Sequence, residues 1–162
     1  LGELAWHRQP APADGHPRLE GHGVRAYSGT GFEFRGTNGV ALNCGLAGVS
    51  LDPARWSSTP AGRDLLEAAR SHLHQRVAGQ AVVLELLLSN PEARTGLGVA
   101  FVNGTNLNEL TLAQGFGVLE RERVRSLPLR QQWALLQAER AARAAGRGVW
   151  QPRLAGAPAP AP

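Results

Sequence analysis

An α+β fold, built on a five-stranded OB-fold-like β-barrel with about three helices and flanked by extended Pro-rich N- and C-terminal arms, is what the order of signals along the chain predicts. Three observations carry it. Five short strand signals are separated by Gly-rich turns, one long helical stripe stands between the third and the fourth, and two helical segments follow the fifth. A generic sheet with helices on one face is the competing arrangement.

The elements are read in order. Residues 1–21, with Pro10, Pro12 and Pro17, read as an extended arm that orders only against something else. The folded domain is expected over 22–151, and a Pro/Ala-rich tail of polyproline II type over 152–162. "VRAYSG" opens the strands, and in "FEFRG" Phe32 and Phe34 alternate with charges, as a half-buried strand requires. "GTNG", Gly36 to Gly39, is a hairpin turn signal. "VALNCGLAGVS" reads as a third strand with close backbone approaches at its glycines. Ser58 or Thr59 before Pro60 starts a helix whose apolar stripe is Leu65, Leu66, Ala69, Leu73 and Val77, and Gly79 ends it. "QAVVLELLL" and "GLGVAFVNG" make two further strands, joined through "SNPEARTG". "NLNELTLAQG" is a short helix with Asn106 or Asn108 available as its cap and Gly115 as its stop. The last helix runs from near Pro128 to Gly146. Leu135, Leu136, Ala138, Ala142 and Ala145 share one of its sides, and arginines gather at its negative end.

Composition narrows the classes. At 162 residues and 43% apolar content the chain suits one globular domain with a real core. No apolar run reaches membrane-spanning length: the longest, Ala81 to Leu88, is interrupted by Glu85. The single cysteine, Cys44, excludes an internal disulfide and a Cys-based zinc site, and reads as a buried thiol. All 17 basic residues are arginine, and the net charge of +4 is compatible with an anionic partner without demanding one. The sequence does not open on Met. Together with the arginine-only basicity this sets the expectation of a mitochondrial protein.

The stretch "GVAFVNGTNLNELTLAQGFGV", followed by "WALLQAERAARAAGRGVW", resembles the staphylococcal-nuclease-like (thermonuclease, SNase) family. More loosely, "VRAYSGTGFEF" and "CGLAGVSLDPA" stand where that family has its first acidic motif and its third strand, so the similarity spans roughly Gly23 to Trp150. The resemblance implies that the last helix packs on the barrel and that Trp150 plugs the gap where the chain leaves it. It also implies a calcium-dependent phosphodiester hydrolysis in which carboxylates hold the metal, a glutamate assists water, and two arginines stabilise the charge on phosphate. On the matching positions, however, the metal carboxylates become Thr30 and Ser50, the glutamate Pro53, and the arginines Gly45 and Thr95. Asp52 and Arg94 lie two and one residues out of place, and a one-residue slip in a strand turns a side chain to the other face. Catalytic, metal and cofactor residues are therefore all expected to be lacking.

Other constellations are plainer. His72 and His74 are two apart on a helix, a spacing that points them to different sides, and they read as solvated surface histidines. His7, His16 and His22 are too irregular for a metal site. Arg121, Arg123, Arg125 and Arg130 form a strip in "LERERVRSLPLR", either a contact strip for nucleic acid or an acidic neighbour, or an exposed connector neutralised in part by Glu120 and Glu122. Tyr27, Phe32 and Phe34 are the rings on which bases could stack, but alternation puts Phe32 and Phe34 in the core. The functional expectation is a non-catalytic barrel serving as a structural accessory subunit of a larger assembly, respiratory or ribosomal, with other protein subunits as partners. The alternatives are a single-stranded nucleic-acid binder without cleavage activity and, last, a calcium-dependent nuclease.

Overall fold

The computed structural model describes residues 16–154; most of the expected arm and tail lies outside the described residues. Five strands close a barrel: β1 (Arg18–Ser28), β2 (Gly31–Gly36), β3 (Ala41–Leu46), β5 (Ala81–Asn90) and β6 (Thr95–Val102). Neighbours run antiparallel in the order β3-β2-β1-β5-β6, and a parallel pairing of β3 with β6, Asn43 opposite Thr95 through Leu46 opposite Gly98, closes the ring. This is the expected OB-like α+β architecture. A short sixth strand, β7 (Thr105–Asn106), extends the sheet beside β6.

Alternation decides what fills the barrel. Phe32 and Phe34 of β2, Leu42, Cys44 and Leu46 of β3, and Val82, Leu84 and Leu86 of β5 all turn inward and are buried. Each such large side chain stabilises the fold by roughly 1.5–3 kcal/mol. Cys44 is indeed a buried thiol.

Two strand boundaries differ from the sequence reading. β1 begins at Arg18, inside the segment assigned to the arm, because Leu19 pairs opposite Leu84 and buries its side chain while Pro17 still accepts a bond from the Leu86 amide. The expected third strand breaks after Leu46. Gly48, at φ 78, lies where a Cβ would come 2.5 Å from Val124, and the chain then leaves the barrel as β4 (Val49–Ser50) to pair with β8 (Val118–Leu119).

Helices cover the barrel where the sequence puts them. A single turn, α1 (Pro53–Trp56), precedes α2 (Pro60–Val77), where Thr59 Oγ1 accepts from the Gly62 amide and Pro60 takes the first helical position. α3 (Leu107–Ala113) is capped by Asn106, whose side chain accepts from Glu109. α4 (Leu129–Ala145) ends on Gly146 in the left-handed conformation. Asn108 is no cap. It is fully buried, its amide donating to the carbonyls of Ala47 and Gly98 and accepting from Ala100.

Trp150 does not plug the barrel. It packs, half-buried, on a second small core made by Trp56, Leu65, Val149 and Leu154, with the Arg143 guanidinium 4.7 Å from its ring. The C-terminal turns reach that core because Val149 donates to the carbonyl of Gly115, fastening the end of α4 to the end of α3. Among the described residues the deeply buried tryptophan is Trp56.

Candidate functional site

Of the positions that the resemblance assigns to phosphodiester cleavage, Gly45 lies on β3, Thr95 begins β6, Thr30 precedes β2, Ser50 ends β4 and Pro53 opens α1. Gly31, Gly45 and Leu97 stand side by side across β2, β3 and β6. The Tyr27 ring covers Gly31, where a Cβ would meet it at 2.6 Å, and the Leu97 side chain lies against Gly45, where a Cβ would meet it at 3.2 Å. Thr30 is held by its backbone: its amide donates to Ser28 Oγ and its carbonyl accepts from Leu46. The Asp52 carboxylate accepts from the Ala54 amide and caps α1. Arg94 sits exposed in the β5–β6 turn at φ 53, so strand alternation does not govern its direction. Burial raises the Tyr27 phenol, with the nearby Cys44 adding to it, and pushes the Cys44 thiol up to about 12. The surface is aromatic and aliphatic with hydroxyls at its edge.

The arginine strip is more ordered than a connector. Arg121, Arg123 and Arg125 follow one another along a single 3₁₀ turn (Arg121–Val124) and the residue after it, and Arg130 stands in the first turn of α4. Several contacts fix that turn. Val124 and Leu127 are buried in the main core, the Glu120 amide donates to the Gly48 carbonyl at 2.7 Å, and Gln132 Nε2 donates to the carbonyls of Arg125 and Leu127. Glu139 of α4 accepts from the Leu119 amide at 2.6 Å. Arg123 and Arg125 pair with Glu120 and Glu122 at 3.5 and 3.8 Å, while Arg121 and Arg130 make no ion pair among the described residues.

Two grooves border this turn. One, of about 300 Å³, is lined by Leu119, Val124, Leu129, Trp133 and Leu136 together with Arg121. The other, of about 410 Å³, is lined by Leu88, Asn90, Thr95, Leu97 and Arg123. Leu88, Leu129 and Trp133 are 61%, 81% and 58% exposed, and they are three of the four large apolar side chains exposed among the described residues. The sequence reading found the arginines and missed these three. The available signal was a second helical stripe, Leu129, Trp133 and Leu136, spaced four and three apart and lying off the buried Leu135, Ala138, Ala142 side of α4.

Of the rings proposed for base stacking, Phe32 and Phe34 are wholly buried, as alternation predicts, and Tyr27 remains. The two histidines of α2 are not simply solvated. His74 Nδ1 accepts from the Ala26 amide at 3.2 Å, tying α2 to β1. His72 lies against Phe116 with ring centroids 5.1 Å apart, and burial, then the neighbouring Arg76, lowers its pKa. Tertiary packing on both sides of α2, which helical spacing does not reveal, makes the difference. Among the described residues no three His, Cys, Asp or Glu are grouped so as to hold a metal, and no helix is long and apolar enough to cross a membrane.

No protein-family model and no curated protein matches the chain.

Proposed function

We propose that this chain is a non-catalytic barrel that acts as a structural accessory subunit of a larger protein assembly, docking through the face formed by the 120s turn and the first half of α4. The observation that carries this reading is the gathering of Leu88, Leu129 and Trp133 around one rigid basic turn. Exposed apolar side chains scattered singly need no explanation, whereas a cluster rimmed by charge marks a contact surface. In support, Thr30, Gly45, Ser50, Pro53 and Thr95 offer neither carboxylate nor guanidinium at the positions where the resemblance asks for them. The turn is also suited to docking: it is pinned by backbone bonds, so little order has to be gained on binding.

Purification from the source under gentle conditions tests the reading. The chain is expected to co-migrate with a large complex, and Leu129→Ser combined with Trp133→Ser is expected to release it as a folded monomer. A chain that runs free from the start removes the accessory-subunit reading.

A further inference from the structure

If the face docks a partner as proposed above, its chemistry names the occupant. We propose that the face binds a protein segment with two apolar anchors separated by carboxylates, one anchor in each groove and the carboxylates over the turn between them. The two grooves are separated by the same 3₁₀ turn, since Arg121 and Val124 line one and Arg123 lines the other. Each has room for about one large apolar side chain and supplies an exposed hydrophobic wall, Leu129 and Trp133 on one side and Leu88 on the other. The ridge between is cationic. Arg121 has no ion-pair partner among the described residues, and the exposed pairs of Arg123 and Arg125 with Glu120 and Glu122 are of a kind worth little in water, so an incoming carboxylate displaces them at small cost. Arg130 beside Leu129, and Arg140 with its guanidinium 5.9 Å from the Trp133 ring, extend the positive rim along α4.

Two other occupants fit worse. A second copy of this chain laid face to face would set these arginines against their own counterparts. A single-stranded nucleic acid needs a run of rings to stack on, and here one exposed ring, Trp133, stands among leucines. An apolar–acidic–apolar peptide answers both the grooves and the ridge.

The test uses the full chain in its source, with Leu129→p-benzoylphenylalanine as a photo-cross-linker and the cross-linked segment sequenced. The expected product is a segment of another protein with two large apolar residues flanking aspartates or glutamates. As a synthetic peptide, that segment should bind the full chain on the order of thirtyfold more weakly after Trp133→Ser. It should bind on the order of tenfold more weakly after Arg121→Glu with Arg130→Glu, with unchanged thermal melting of both variants. A cross-linked segment without carboxylates overturns the proposal. So does a cross-link to nucleic acid, to a second copy, or to residues 1–15 of the same chain. An absent cross-link in a chain that still co-migrates with a large complex sinks this proposal and leaves the accessory-subunit reading standing, whereas a free monomer sinks both.

Discussion

Replacing Asn108 with alanine should open the seam of the barrel. β3 and β6 pair directly as far as Leu46 and Gly98, and one residue later the Ala47 amide still donates to Gly98 at 2.8 Å. Beyond that point the Asn108 amide takes the place of the missing strand, bonding Ala47 and Gly98 at 2.9 and 3.0 Å and receiving the Ala100 amide at 3.1 Å. Without it the Ala100 N–H is left buried with no acceptor, a loss of roughly 1–3 kcal/mol, and the Ala47 carbonyl loses a bond worth about 1 kcal/mol. Gly98 keeps its bond from Ala47 and costs little. The sum is about 3 kcal/mol, or roughly 6–12 °C in Tm for a domain of this size. Urea denaturation of the purified chain measures it. Asn108→Asp sharpens the assay, because its carboxylate would face two carbonyl oxygens in a dry site and its pKa would rise. A folded pKa above the unfolded one means that stability is retained below about pH 4 and lost as pH rises through the folded value, so this variant should be more stable in acid than at neutrality. A cost below about 1 kcal/mol for the alanine variant, or an aspartate variant indifferent to pH, would refute the seam argument.

Three further outcomes follow from the same contacts. Gly148→Ala should cost about 3 kcal/mol or more in chemical denaturation, since a Cβ there would run into the Gly115 backbone and the residue already sits at φ 55. Cys44, with its thiol at about 12, should resist iodoacetamide in the native chain at pH 8 and react at once when the chain is unfolded in urea. His72, whose pKa burial lowers in the fold, takes up a proton more readily when unfolded, so stability should fall as pH drops below about 6.5, and His72→Phe should flatten that slope in melts between pH 7 and pH 5.

Local chemistry was readable in the sequence where it acts alone. The alternation of Phe32 and Phe34 placed them inside, Ser58 or Thr59 before Pro60 announced the start of α2, where Thr59 is the cap, and Asn106, one of two candidates, and Gly146 mark helix ends that the backbone uses. Residues whose role depends on a distant partner were not readable. Asn108 looks like a cap until Ala47, 61 positions away, is brought against it. His74 reads as surface until the Ala26 amide turns toward it. Trp150 reads as the plug of the barrel until it is seen to pack on the separate core of Trp56, Leu65, Val149 and Leu154. The face proposed for docking was half legible, because charge is visible as composition, whereas the exposure of Trp133 follows from which side of α4 meets the barrel.

The small core around Trp56 has a consequence for synthesis. Its first large members, Trp56 and Leu65, are made well before Val149 and Leu154, which follow Leu65 by 84 and 89 positions in residue number. At about 5–20 residues per second a ribosome needs on the order of ten seconds to cover that interval. For that time the indole and its leucine neighbour lack their last cover, and a stalled or shortened message would leave them bare, a natural mark for chaperones and proteases to read.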